Sequence, residues 1–171
     1  AVAWGEFGLD YSNPYWGPQE SYRQEQREVF ERQVTLAVAR DLPLVLHLRD
    51  AADDVLPVLR KCVPKHWMGH VHSLLVGADL LEAMLAEWPN FFFGLTGTVT
   101  LGGSGERMAR LLPLERMLLE TDSPCLMPRG TLFSHLGQIP TIARRVAAIK
   151  GVTAGEVLTA ARANARKVYG I

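Results

Sequence analysis

The sequence predicts an α/β chain whose strands run parallel, and three observations carry that prediction. Short β-rich apolar runs alternate with stretches of helical periodicity about every 25 residues, the rhythm of repeated βα units. Length and composition suit one sizeable globular core: 171 residues, 48% hydrophobic and 21% charged, with no linker and no low-complexity segment. Finally, three of the apolar runs end alike. "GEFGLD" (5–10), "PLVLHLRD" (43–50) and "MLLETDSP" (117–124) each deliver ionisable side chains to one end. A buried strand gains nothing from a carboxylate at its tip, so these ends are where function is expected.

The elements follow in order. Val2-Ala3-Trp4 runs into Gly5-Glu6 as the first strand. After a Gly/Pro loop, "SYRQEQREVFERQVTLAVARD" (21–41) reads as a long helix, with a capping box at Ser21 and Gln24 and one face made of Phe30, Val34, Ala37 and Val38. Pro43 stops it, and "PLVLHL" (43–48) is the second strand. "DDVLPVLRKC" (53–62) fits a short helix with Pro57 tolerated in its first turn. "MGHVHSLL" (68–75) is the third strand. "ADLLEAMLAEW" (78–88) is an amphipathic helix, with Leu81, Met84, Leu85 and Trp88 at helical spacing. "FFFGLTGTV" (91–99) is the fourth strand, its phenylalanines core rather than a base-stacking platform. "SGERMARLL" (104–112) is a short helix and "RMLLET" (116–121) the fifth strand. "QIPTIARRVAAIK" (138–150) and "TAGEVLTAARANARKVY" (153–169) close the chain as helices, the second opened by a capping box of Thr153 and Glu156.

Two parallel architectures compete for these elements. A doubly wound sheet calls for a glycine-rich phosphate loop after an early strand, but "GEFGLD" puts acids there and "LGGSGER" lacks the dinucleotide spacing. A (β/α)8 barrel collects its chemistry at the C-terminal ends of several strands, and Glu6, His47, His72 and Asp122 all fall at or near such ends. The barrel is preferred, although barrels of this type usually need about 250 residues and five strands cannot close one.

Several classes are excluded or disfavoured. Eighteen basic and eighteen acidic residues cancel, so no excess charge is available to hold nucleic acid non-specifically and any phosphate affinity must be local. Cys62 and Cys125 lack disulfide-framework and metal-finger spacing, which points to intracellular thiols. No apolar stretch approaches the roughly 20 residues of a membrane span. "AVAWGEFGLD" is not a signal peptide; without an initiator methionine and opening inside a strand, it reads as a chain that begins partway through.

Glu6, His47, His72 and Asp122 together form a ligand set for Zn²⁺, Mn²⁺ or Mg²⁺. Such a cluster makes a nucleophile from water and neutralises charge on a phosphoryl oxygen. Taken singly, each has a plainer explanation: a hydrogen-bonded core histidine, a Glu6–arginine pair, a turn or helix cap at Asp122. In "HVH" the two-residue period puts His70 and His72 on one face, so both can reach a metal; the reading prefers His72 alone. Arg49 shares the face of His47 and suits either a phosphate or a salt bridge to Asp50, Asp53 or Asp54. His66 and His135 are assigned nothing.

"GEFGLDYS", "PLVLHLRDA", "HSLLVG", "LLETDSPCLMP" and "ANARKVYGI", in this order and spacing, resemble the TatD family of metal-dependent deoxyribonucleases over essentially the whole chain. The resemblance implies a TIM-barrel phosphodiesterase that cleaves DNA with a metal-activated water. Glu6 would bridge two metals, His47 and His72 would complete one site, and Asp122 would serve the other and orient the water. Arg49 would meet a substrate phosphate and Asp10 would support the ligands. Relative to the family, a His-x-His segment and the first three strands are absent here, and His72-Ser73-Leu74 stands where the family usually has His-Cys-Phe. The expectation is therefore an incomplete barrel, roughly its last five βα units, with two metals in the complete site and one in this chain. DNA is the expected substrate, and a second chain or segment supplying strands is an expected partner. The alternative is a catalytically degenerate member kept as a structural or assembly subunit. A third reading, an amidohydrolase or lactonase on a related barrel, ranks below both.

Overall fold

The computed structural model describes residues 1–171, which form two compact units. The first holds residues 1–72 and 76–91, the second residues 73–75 and 92–171. In chain order the first unit contains β1 (Trp4–Asp10), α1 (Glu20–Ala39), β2 (Leu44–Arg49), α2 (Ala52–Cys62), β3 (Gly69–His72) and α3 (Ala78–Glu87). The second is built from β4 (Phe91–Leu95, all but its first residue), α4 (Gly103–Leu111), β5 (Met117–Leu119), α5 (Ile139–Lys150) and α6 (Ala154–Tyr169), with short 3-10 turns between them. Every strand pairing is parallel: β1 with β2 and β2 with β3 in the first unit, β4 with β5 in the second. The α/β class and the parallel pairing are those the sequence predicts.

In the first unit the two faces of the strands differ. Leu9, Leu44, Leu46, Leu48 and Val71 are buried and lie on one face by the two-residue period. The helices supply the matching apolar stripe: Phe30, Val34 and Ala37 on α1, then Val55, Val58 and Leu59 on α2. Phe7 sits 5.8 Å from Phe30. Each such Val, Leu or Phe side chain contributes about 1.5–3 kcal/mol when fully buried. The opposite face carries Glu6, Gly8, Asp10, Val45, His47, Arg49, His70 and His72. Trp88 stacks on Phe91 at 5.6 Å, both in this unit.

The second unit has its own core. Phe92, Phe93 and Leu95 are buried with Met117 and Leu118, and with Ile142, Ala143 and Val146 of α5 and Val157 and Val168 of α6. Asn164 of α6 is 2% exposed and donates two 2.8 Å hydrogen bonds, to the carbonyls of Leu114 and Met117, so β5 is tied to the last helix.

Some boundaries differ from the expectation for physical reasons. The first helix is not capped by Ser21 and Gln24. It starts at Glu20 with Gln19 as N-cap, because the preceding loop closes on itself and leaves Ser21 inside the first turn. Pro57 lies at the sixth helical residue of α2 rather than in the first turn, which removes one bond to the Asp53 carbonyl; the apolar face of α2 offsets that loss. The third strand ends at His72, since Ser73 turns to φ 46°. The fourth ends at Leu95 in a 3-10 turn capped by Thr96. The Thr153–Glu156 capping box is present as read.

Candidate metal centre

The site grows from a slip in strand register. Trp4 faces Leu44 while Phe7 faces Leu46, so Gly5 and Glu6 together oppose Val45, a bulge of one residue. Without it, Trp4 and Glu6 would share a face. With it, Trp4 turns toward α1, donating its indole N–H to Gln33 at 2.7 Å beneath the Arg40 guanidinium. Glu6 is left on the opposite face, in line with Gly8, whose cross-strand partner is His47. His47 in turn pairs directly with His72 on β3. One carboxylate and two imidazoles thus lie on one face of three neighbouring strands.

Their distances fit a shared ion. Glu6 Oε1 is 3.7 Å from His47 Nδ1, and Glu6 Oε2 is 3.5 Å from His72 Nε2. All three ligand atoms lie within 4.8 Å of one another. Ligands held at the usual 2.0–2.2 Å around a tetrahedral zinc stand about 3.4 Å apart, so the two Glu6 separations match and the remaining one closes by a small rotamer change. The donor set, two nitrogens and one oxygen, suits borderline divalent metals. Exposure falls from 50% at Glu6 through 33% at His47 to 11% at His72, which opens the cluster on its Glu6 side.

Asp10 holds His47 from the other edge of the ring. Its Oδ2 is 3.5 Å from His47 Nε2, and its Oδ1 accepts the Ser12 N–H at 2.8 Å. Burial pushes this carboxyl up, but the Ser12 hydrogen bonds and the nearby His47 and Arg49 outweigh it and leave Asp10 below the ordinary aspartate value. An anionic Asp10 at this distance favours the His47 tautomer with Nε2–H toward itself, leaving Nδ1 toward Glu6. Gln26 of α1 anchors the Asp10 backbone, accepting from its N–H and donating to its carbonyl, both at 2.8 Å. Gly8 makes the close strand approach possible: a Cβ there would stand 1.7 Å from the His47 carbonyl oxygen.

The other candidates separate. His70 is buried one step below, paired with Val45, with its ring edge-on to His72 at 6.3 Å; it lies outside the three-ligand group. Arg49 is exposed at the end of β2 opposite Asp10. Asp54, one of its possible partners, instead binds Arg27 at 3.0 Å and Tyr11 at 2.8 Å. Burial and the Asp54 carboxylate raise the Tyr11 phenol to about 12, against the opposing pull of Arg27. Asp122 is carried by the second unit, half-buried, with its carbonyl accepting from Cys125 N–H at 2.8 Å. Close by, Ser134 donates to the Thr121 carbonyl and Ser123 to the Ser134 carbonyl, at 2.9 and 2.8 Å. Asp50 and Ser73, each the first residue past its strand, and Asp122, three past β5, adopt φ of 53°, 46° and 51°, as do Asp41 and Leu126 elsewhere, a conformation that non-glycine residues sustain at a cost of about 1–3 kcal/mol.

Sequence reasoning missed Ser12, Gln26 and the Tyr11–Asp54–Arg27 network. Asp10-x-Ser12 is an Asx-turn pattern and was findable. The long-range partners leave no local signal.

A parallel α/β chain that gathers a carboxylate and two imidazoles at its strand ends carries the donor set of a divalent-metal site. The TatD related DNase family model matches residues 1–170, and the chain belongs to that family. It is 35% identical to the human 3'-5' RNA nuclease TATDN2, covering 100% of this chain and 23% of that protein. With the 3'-5' ssDNA/RNA exonuclease TatD of Erwinia tasmaniensis it shares 32% identity over 99% of this chain and 66% of that one. The crystal structure of YjjV, a TatD homolog of Escherichia coli, superposes with a TM-score of 0.86 at 24% identity, over 99% of this chain and 64% of that one. The chain therefore spans about a quarter of the human relative and just under two thirds of the two bacterial ones. No helix is long and apolar enough to cross a membrane.

Proposed function

We propose that this chain provides the metal-holding part of a TIM-type barrel nuclease that hydrolyses DNA phosphodiester bonds, acting on a single strand. The observation that carries the proposal is the convergence of Glu6, His47 and His72 within 4.8 Å. The names of the relatives, an RNA nuclease and an ssDNA/RNA exonuclease, support the substrate class.

In this reading Glu6, His47 Nδ1 and His72 Nε2 would hold one divalent ion, zinc, manganese or magnesium, and Asp122 would serve a second metal position. A bound ion supplies Lewis-acid chemistry: it lowers the pKa of water and neutralises charge on a phosphoryl oxygen. Glu6, the most open of the three, would be the carboxylate able to reach a second ion as well. Asp10 orients His47 through its Nε2–H and keeps the imidazole a good donor. Arg49 meets the non-bridging phosphate oxygens with its guanidinium fork, which suits a tetrahedral oxyanion better than a lysine would. Asp122 would orient the attacking water and take up its proton.

Cleavage of an end-labelled single-stranded oligonucleotide tests the proposal. Activity should vanish with EDTA, return with zinc or manganese, and be abolished by Glu6→Ala and by Asp122→Ala. Activity that survives both substitutions would reject this assignment.

A further inference from the structure

The loop that leaves β1 beside Asp10, "YSNPYWGPQ" (11–19), contains no charged residue, yet it is tightly built. Asn13 Oδ1 accepts the N–H groups of both Tyr15 and Trp16, at 2.9 and 3.1 Å. The Gly17 N–H returns to the Asn13 carbonyl at 2.8 Å, and Gln19 is bonded to Trp16 through its backbone and to Tyr15 through its side chain, each at 2.9 Å. Arg23 of α1 donates to the Gly17 carbonyl at 2.5 Å while lying over the Tyr11 ring at 4.8 Å. Gly17 is pressed against the backbone of Tyr11, where a Cβ would meet the carbonyl oxygen at 2.0 Å.

All this order holds apolar rings out in water. Tyr15 is 78% and Trp16 54% exposed, with Trp16 backed by Tyr22 at 6.5 Å. Solvent-facing aromatics cost free energy by exposure, a cost that a stacking partner would offset. Through Gly17 and Tyr11, Trp16 is only a few backbone steps of about 3.8 Å from Asp10 and hence from His47. Arg23, over the Tyr11 ring, and Arg49, whose carbonyl accepts the Tyr11 N–H at 3.0 Å, bring positive charge to the base of the loop.

We propose that Tyr15 and Trp16 form a base-stacking platform for unpaired nucleotides next to the scissile phosphate. This inference rests on the nuclease reading and deepens it: the rings select single strands, since duplex bases are already stacked, and tolerate any sequence because every base offers a π-face. It also gives a chain of zero net charge a local means of holding nucleic acid.

The test is binding of fluorescein-labelled oligothymidine to the full chain in EDTA, read by anisotropy, against an abasic oligonucleotide of equal length. Trp16→Ala should weaken oligothymidine binding about 5- to 100-fold, Tyr15→Ala should weaken it too, and Trp16→Phe should restore most of it. The abasic strand, with the same phosphates, should bind wild type weakly and be indifferent to Trp16→Ala. Equal losses on both oligonucleotides, or no loss on either, would overturn the platform. So would a wild-type dimer that Trp16→Ala turns into a monomer, which would assign the rings to a second copy of this chain. Because binding is read without metal, failure of cleavage leaves this result intact, and intact cleavage with unaltered Trp16→Ala binding removes the platform alone.

Discussion

Replacing Gly8 with alanine tests how closely the metal centre depends on strand packing. A Cβ at this position would lie 1.7 Å from the His47 carbonyl oxygen, 2.6 Å from its carbonyl carbon and 3.0 Å from its nitrogen. Backbone, not a flexible side chain, is in the way. Restoring ordinary contact requires β1 and β2 to separate by roughly 1.5 Å, given carbon–oxygen contacts a little above 3 Å. The register from Phe7 to Asp10 would loosen, with hydrogen bonds worth about 1 kcal/mol each, and Leu9, Leu46 and Leu48 would lose close packing on the far face. A loss of about 3–5 kcal/mol follows, or roughly 10 °C in melting temperature for a chain of this size. The same displacement moves His47 by several times the ±0.2 Å that a metal site tolerates. Thermal melting by circular dichroism and metal titration well below the melting point are the paired assays. A Gly8→Ala chain that melts within 2 °C of wild type and still binds metal equally would refute the reasoning.

Two further outcomes follow from the same geometry. Asp10→Asn keeps the shape but loses the charge that orients His47, so metal affinity should fall about 10- to 100-fold; competition against a chromophoric chelator measures it, and unchanged affinity would show that Asp10 does not act through His47. The Glu87 carboxyl, gripped by Arg60 and by Lys65, is held down at about 2. Its folded pKa is depressed, so its contribution is complete above the unfolded value near 4.5 and disappears as pH falls toward 2. Glu87→Gln should therefore melt about 2–4 °C below wild type at pH 6 and converge on it near pH 2, and a gap that does not narrow would contradict the assignment.

Much of this was legible because strands carry a two-residue code. The runs around Glu6, His47 and His72 announced both the strands and the ends where chemistry collects, and the local Thr153–Glu156 box announced its helix. What stayed hidden needs a partner in space. The one-residue bulge at Gly5–Glu6 exists only relative to β2 and decides where Trp4 and Glu6 point. The pairing of Asp54 with Arg27 rather than Arg49 spans 27 residues and has no periodic signal. Ser21 looked like a cap because the order of the preceding loop, set by Asn13 and Arg23, could not be read from the helix pattern. The exposure of Tyr15 and Trp16 was equally invisible, since composition does not distinguish a buried ring from a presented one.

The central claim is that Glu6, His47 and His72 hold one divalent ion. Calorimetric titration of the metal-free chain with zinc and with manganese, repeated on Glu6→Ala and His72→Ala, tests it most directly. About one equivalent bound by wild type and lost in both variants is the predicted result. No binding by wild type, or binding that neither substitution changes, would contradict it.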